Sequence, residues 1–512
     1  MRKLKVVPSV TTQITKTPVF DFRKNQREGT AQRNLGQTWI GRRCRAKKRG
    51  RGHIARDVSQ GVTQRCKFCL GFFSRGFLAR YIPPMKLSCL ALCVCLFSSV
   101  NMVSCSFDRG NVDDPGEAET KRPPNPGPIP KPPVGVLSGR VLAPDGKIPI
   151  SSALVYVIPT PPAAIPNGVY CDKCVHIPDG TPYVNTKPDG SFQLTVGTGS
   201  FYLVVQKGAF RRVRPVAVAE GQQEIPVENT TLPAITEKAK GDDIPKIAVV
   251  LGAWDPIEVV LARMGLKATI SKDLLGRARV LAKDAPAFAI YGPQGLGIRS
   301  PYPSPARLLT DPKEIEKYHI VFLPCSGGTD QSGSGPQCTG VFNTDGRVKT
   351  TLEGFVRKGG RVYVSDWSYE YIRQIFPGYV TWQGQNSTVG SACLGGGGEQ
   401  GVSNLDTGLQ AWLSAQGRSL SGVKDAWTQI ASVQDQQDVD ADGKMTKITP
   451  KVWVRAGNPV SVSAQHGCGR VLYTTYHTQP TGEVNKPLEE QALALLYLIL
   501  EAAVCIDPQV IG

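Results

Sequence analysis

Lys246-Ile-Ala-Val-Val-Leu-Gly252 is an unbroken apolar run closed by glycine, and it reads as a strand buried on both faces of a sheet. Asp255 to Leu266 follows as a helix, because Ile257, Val260, Leu261 and Met264 recur on one face. The same alternation continues downstream. Tyr318-His-Ile-Val-Phe-Leu-Pro324 reads as a strand, Leu352 to Lys358 as a helix ended by Gly359-Gly360, and Arg361-Val-Tyr-Val-Ser-Asp366 as the next strand. Trp367 to Phe376 then reads as a helix, Val452-Trp-Val454 and Arg470 to Thr475 as strands, and Leu488 to Val504 as a long amphipathic helix. Strands alternating with helices predict an α/β domain with an open parallel sheet over 246–506.

Upstream, from 135 to 233, the period is two. Gly139-Arg-Val-Leu142, the turn Pro144-Asp145-Gly146, Ala153-Leu-Val-Tyr-Val-Ile158, the turn Pro188-Asp189-Gly190 and the alternating Phe192, Leu194 and Val196 read as short strands joined by glycine and proline turns. That pattern predicts a β-sandwich, joined to the α/β domain by a polar linker at 234–245. The chain is thus expected to be multidomain. The residues Gly139-x-Val141, Ala153-x-Val155-x-Val157 and Thr186, then Asp189-Gly190-x-Phe192-x-Leu194, Gly199 and Tyr202, resemble a carboxypeptidase regulatory-like, transthyretin-like domain. The resemblance implies a non-catalytic module that binds carbohydrate or protein.

Met85 to Cys105 carries Lys86, an apolar run from Leu87 to Phe97, and small residues ending in Val103-Ser104-Cys105, the build of a secretory signal at 85–104. The ending resembles a bacterial lipoprotein signal, with Met102 where leucine is commonest. It implies lipid on Cys105 and a membrane as partner; Ser106 in place of Asp points to the outer rather than the inner membrane of the cell envelope. The alternative is an uncleaved transmembrane signal anchor. Residues 105–134 contain RPPNPGPIPKPP, a composition that cannot bury a core and suits an extended tether.

Residues 1–84 hold 20 Lys and Arg against Asp21, Glu28 and Asp57, a net +17 of the chain's +18. The expectation is a start codon assigned upstream of the true one, or a disordered basic arm. The charge excess belongs to that leader, so it gives no ground for a nucleic-acid partner.

In open α/β sheets, sites lie beyond the carboxyl ends of the strands. Three such ends stand out: Pro324-Cys325-Ser326-Gly327-Gly328, Ser365-Asp366-Trp367-Ser368 and Tyr476-His477-Thr478. Their order resembles the class I glutamine amidotransferase-like fold, a flavodoxin-like sheet. In that family a Ser-Gly-Gly turn precedes an elbow with a nucleophilic cysteine, and a later strand ends in the catalytic histidine. Ser326-Gly327-Gly328 matches the turn, Asp366 stands where the cysteine belongs, His477 matches the histidine, and Gln479 replaces the glutamate that would orient it. The resemblance therefore implies a degenerate domain without a Cys-His mechanism at the elbow.

Cys325, Asp366 and His477 are the candidates left for chemistry. Cys325 is expected to be tied to Cys338, thirteen positions on. Asp366 and His477 form a possible acid and base; the plainer expectation for Asp366 is a cap on the helix starting near Trp367.

Cys171-Asp-Lys-Cys174 is expected to close a local disulfide; zinc binding with His176 and redox chemistry are the rival readings. With Cys393, Cys468 and Cys505 the chain after Cys105 has seven cysteines, whose pairing spacing alone does not give. Asp438-Val-Asp440-Ala-Asp442-Gly443 has the opening of a calcium loop, but Thr449 stands at the twelfth position, so a solvated acidic turn is the plainer expectation and a weak calcium site the rival one. Gly395 to Gly398 lacks the Lys-Ser/Thr of a phosphate loop and reads as a connector. No cofactor is expected apart from calcium at that loop. The function expected is a lipid-anchored surface protein with a non-catalytic binding or structural role, and the alternative is a hydrolase or amidotransferase-like enzyme using the strand-end cluster.

Overall fold

The structure, a computed structural model, describes residues 133–171, 177–273, 276–280, 284–292, 301–326, 328–329, 336–337, 346–384, 389–393, 398–440, 442–478 and 486–502. The leader, the signal, Cys105, most of the tether, Cys174, His176, Cys338, Gly395 to Gly397, Gln479 and Cys505 lie outside the described residues. Among the described residues no helix is long and apolar enough to cross a membrane.

The first half is built from two sheets. Val134–Arg140 lies between Ser191–Gly197, which it pairs antiparallel with Leu137 opposite Leu194, and Gly221–Glu224, which it pairs in parallel. The second sheet runs in the order Tyr183–Asn185, Leu154–Ile158, Gly199–Lys207, Phe210–Val218, Asp242–Asp243, antiparallel throughout. Phe192, Leu194 and Val196 are all buried, as their alternation requires, while Gln193 and Thr195 face outward. Leu137, Phe192 and Leu194 of one sheet and Val155, Val157, Leu203 and Val205 of the other belong to a single core, which makes the unit β-sandwich in type. The 234–245 stretch, expected as a linker, supplies the fifth strand. Asp242 and Asp243 pair with Arg211 and Arg212, and Arg212, Arg214 and Arg211 hold their carboxylates at 2.8–3.0 Å. Acidic residues in a polar stretch hide this role from a pattern reading, because the strand is held by ion pairs rather than by apolar alternation.

The second half is organised on an eight-stranded sheet in the order Ala289–Tyr291, Ile247–Val250, Ile320–Leu323, Arg361–Ser365, Gly469–Thr474, Asn458–His466, Lys451–Ala456, Asn404–Leu405. The first five are mutually parallel. The last three are antiparallel, so the open parallel sheet expected over this region is corrected to a mixed one. The reason is local. Gly457, at φ 72°, makes a hairpin turn between Lys451–Ala456 and the nine-residue strand Asn458–His466, and a hairpin gives antiparallel neighbours. Ile247–Val250 and Ile320–Leu323 are buried at every residue, which accounts for their continuous apolar sequence. The helix Gly346–Arg357 buries Val348, Leu352, Phe355 and Val356, and Glu490–Ala502 buries Leu493 to Leu500.

The two halves share one core: Trp412, Leu496 and Val260 pack in the same cluster as the sandwich interior. Trp412 Nε1 donates to the Pro149 carbonyl at 2.7 Å, and the buried Lys207 Nζ reaches Glu501 at 2.6 Å and the Ser151 carbonyl at 2.9 Å. The loop leading to Cys171 lies on the second half as well. Val169 N–H donates to the Glu316 carbonyl, and Gly359, at φ 111°, sits so close to the Tyr170 carbonyl that a Cβ would fall 1.9 Å from it. The Cys171 sulfur is consequently bonded to Cys468, 297 residues away, and not to Cys174. Cys393 is also disulfide-bonded, whereas Cys325, expected to pair with Cys338, is a buried free thiol.

One ion-pair cluster gives the fold a pH dependence. Glu314 accepts from Lys317 at 2.8 Å, Tyr291 at 2.8 Å and Arg307 at 2.9 Å, and these partners, Lys317 foremost, hold its carboxyl down at about 2. A folded pKa below the unfolded value of 4.5 contributes stability above pH 4.5 that is lost as pH falls toward 2. Glu314→Gln is expected to flatten the acid limb of a melting-temperature profile in that window. An unchanged acid limb would refute this assignment.

Candidate functional site at the strand ends

Four adjacent parallel strands deliver their carboxyl ends to one place. Asp255 follows Ile247–Val250, Cys325 follows Ile320–Leu323, Asp366 begins the turn that follows Arg361–Ser365, and His477 follows Gly469–Thr474. The three candidates named from sequence are brought together. Cys325 Sγ lies 3.6 Å from Asp366 Oδ2, and His477 Nε2 lies 3.7 Å from the same oxygen. Cys325 is 1%, Asp366 0% and His477 5% exposed, so all three are inside the molecule.

Asp366 has φ 41°, a left-handed conformation that costs a non-glycine residue energy and that the surroundings must enforce. They do so from both ends of the residue. Its carbonyl accepts from Tyr473 OH at 3.1 Å. Its Oδ1 accepts from Trp427 N–H at 3.1 Å, Thr428 N–H at 2.9 Å and Thr428 Oγ1 at 3.0 Å. The carboxylate therefore binds the 427–428 segment; the helix cap expected near Trp367 is not formed, and Asp366 is instead the first residue of the 3-10 turn Asp366–Ser368. Burial pushes the Asp366 carboxyl up to about 7, against the pull of His477 and of the Thr428 and Trp427 bonds.

The thiol of Cys325 is held well above its usual range, first by burial and then by the neighbouring Asp366. Its backbone N–H donates to Ser365 Oγ at 2.8 Å, and Ser365 Oγ donates to Asp255 Oδ2 at 2.6 Å. Asp255, fully buried, also accepts from the N–H of Thr478 at 3.1 Å and from its hydroxyl. His477 Nδ1 lies 3.1 Å from the Thr478 carbonyl, which only accepts, so Nδ1 carries a proton and Nε2 is the atom turned toward Asp366. The helix Glu490–Ala502 closes the arrangement through Gln491, whose amide donates to the His477 carbonyl at 2.7 Å.

Asp255 was missed in the sequence because it stands five residues past its strand, in Leu251-Gly-Ala-Trp-Asp255, and begins what reads as a helix. The signal that could have found it is the rule already applied to the other strands. Tryptophans rim the same region: Trp254 is 45% and Trp427 38% exposed, and the Trp427 and Trp367 rings meet edge to face at 6.0 Å.

Asp438, Asp440 and Asp442, the residues of the calcium reading, belong to the hairpin Gln436–Val439 and Met445–Ile448, and their carboxylates are not in the cluster of converging ligand atoms among the described residues. Asp438 is turned to Arg357 at 3.1 Å, Tyr379 at 3.0 Å and His466 at 2.7 Å. Asp440 Oδ1 accepts from the N–H groups of Asp442 and Lys444 at 2.9 Å, closing the turn. Among the described residues the His, Cys, Asp and Glu side chains whose ligand atoms converge are Cys325, Asp366 and His477.

No protein-family model matches the chain, and no curated protein matches it. Among solved structures, a DUF3823 family protein from Parabacteroides merdae is similar at 14% identity over 20% of this chain and 46% of that one, with a TM-score of 0.14. Two cytoplasmic proteins from Salmonella typhimurium are each 9% identical: one over 50% of this chain and 98% of its own with a TM-score of 0.28, the other over 51% and 100% with 0.25.

Proposed function

We propose that the chain is an exported surface protein, lipid-anchored through Cys105 on the outer rather than the inner membrane, whose sandwich binds a carbohydrate or protein ligand and whose α/β half is a degenerate amidotransferase-like scaffold. The observation that carries this reading is the Cys171–Cys468 disulfide, which suits an oxidising compartment and makes sandwich and scaffold one covalent body. The degenerate-scaffold part is supported by the sheet order. Numbered along the chain, its parallel strands run second, first, third, fourth, fifth, the order of flavodoxin-like sheets. It is supported too by the described strand ends, where burial and then Asp366 hold the Cys325 thiol well above its usual range and Asp366, not a cysteine, stands at the elbow.

A ligand has a place to lie on the sandwich. A groove of about 730 Å³ is lined by Arg140, Lys187, Ser191, Gln193 and Glu224, with Phe192 beneath. Exposed donors and acceptors of both charges suit hydroxyl-rich or peptide groups. The test is binding of the purified chain to glycan and peptide arrays, with intact mass of the native protein reporting lipid on Cys105. Arg140→Ala with Glu224→Ala is expected to weaken binding by about 10-fold or more, as loss of two polar anchors does. Equal binding by the variant would remove the groove from the proposal.

A second reading, a hydrolase using Cys325, Asp366 and His477, is favoured by one observation: the left-handed backbone at Asp366, the kind of strain found at reactive elbows. Turnover of activated esters by the wild type that Asp366→Asn abolished would carry it; none in the wild type would end it.

A further inference from the structure

We infer that Cys325, Asp366 and His477 form a site for a zinc-class divalent cation, with one coordination position left for water. The donor set is a thiol sulfur, a carboxylate oxygen and an imidazole nitrogen, each a common zinc ligand, whereas calcium and magnesium would refuse the sulfur and nitrogen.

The spacing fits. Zinc holds sulfur at about 2.3 Å and oxygen or nitrogen at about 2.0 Å, so two ligand atoms on a tetrahedral ion stand roughly 3.3–3.5 Å apart. Sγ and Oδ2 are 3.6 Å apart, Oδ2 and Nε2 are 3.7 Å apart, and all three atoms lie within 4.8 Å of one another. A cation placed between them needs a small contraction of the two pairs that share Asp366 Oδ2, and Sγ and Nε2, within 4.8 Å of each other, must draw in by up to about 1.3 Å.

The outer partners are also those of a metal site. The His477 proton sits on Nδ1, toward the Thr478 carbonyl, which leaves Nε2 as the coordinating atom. Asp366 spends Oδ1 on Trp427 and Thr428 and keeps Oδ2 for the centre. Cys325 is fixed through its own N–H by Ser365, which Asp255 orients in turn. Each ligand is thus held by an atom other than the one it offers, and the buried setting gives the ligands little freedom to lose. The charges balance as well. On binding, the thiol proton leaves to solvent, so thiolate and carboxylate neutralise the two positive charges of the ion and imidazole stays neutral. The site lies apart from the groove on the sandwich, so its success or failure does not depend on the ligand proposed there.

The test uses the full chain. Chelator-treated protein titrated with cobalt(II) is expected to take up one equivalent at this site, with a thiolate-to-cobalt charge-transfer band and the visible bands of a tetrahedral ion. Cys325→Ser is expected to abolish the charge-transfer band, and His477→Ala to weaken binding, both with an unchanged far-UV circular dichroism spectrum. Arg140→Ala should leave the titration as it is. X-ray absorption of the zinc-loaded wild type needs no variant, and should show one sulfur among otherwise nitrogen and oxygen ligands. The proposal is overturned if the folded wild type gives no band, if the band survives Cys325→Ser, or if the zinc shell holds no sulfur or several.

Discussion

Cys171→Ser and Cys468→Ser are each expected to lower the unfolding free energy by about 2–5 kcal/mol, toward the upper end because the bridge closes so long a loop. The bond spans 297 residues and joins the sandwich to the turn between Asn458–His466 and Gly469–Thr474. Without it the halves are still held by the shared core, the Trp412 bond to Pro149 and the Lys207–Glu501 pair. The variants should therefore fold with both halves docked and unfold at lower urea. The double variant should match either single one, since both remove the same constraint. Equal midpoints for oxidised wild type and variants would mean that the bond does not form in the native protein.

Asp255→Ala is expected to cost about 3–5 kcal/mol, because a buried acceptor of three hydrogen bonds is lost and its donors cannot reach water. The Thr478 N–H, the Thr478 hydroxyl and the Ser365 hydroxyl all point at this carboxylate. Their loss loosens three strand ends together, those carrying Asp255, Ser365 and Thr478. Asp255→Asn should cost less, since one oxygen remains, but its NH2 faces donors where an acceptor is needed. Urea midpoints of the two variants within about 0.5 kcal/mol of wild type, the range of ordinary surface changes, would show that the knot is not structural.

Much of this was legible in the residues themselves. Phe192, Leu194 and Val196 alternate because one face of their strand is wet, and Ile247–Val250 does not alternate because neither of its faces is. Cys325, Asp366 and His477 stand at strand ends in the sequence, and the sheet brings those ends together. What escaped depends on contacts that spacing does not encode. Cys171 stands three residues from Cys174, yet Tyr170 lies under Gly359 and carries the sulfur to Cys468. Asp438 has the spacing of a calcium ligand, but Arg357 and His466 claim its carboxylate from distant parts of the chain. Asp366 looked like a cap because the residues it holds, Trp427 and Thr428, are some sixty positions on. In each case a local pattern was outcompeted by a partner that only the folded chain supplies.

The bridge between Cys171 and Cys468 has a consequence for biogenesis. A chain emerging from its amino-terminal end exposes Cys171 long before Cys468 exists to meet it, and Cys174, Cys325, Cys338 and Cys393 all appear in between. The native bond is therefore out of order along the chain. In the oxidising compartment proposed for this chain, oxidation in the order of arrival would pair Cys171 with an earlier sulfur, and the native bond would then be reached by thiol exchange through mixed disulfides. If the chain is exported as proposed, its maturation would depend on an isomerase as well as an oxidant, and a cell lacking the former is expected to accumulate it with a mispaired Cys171.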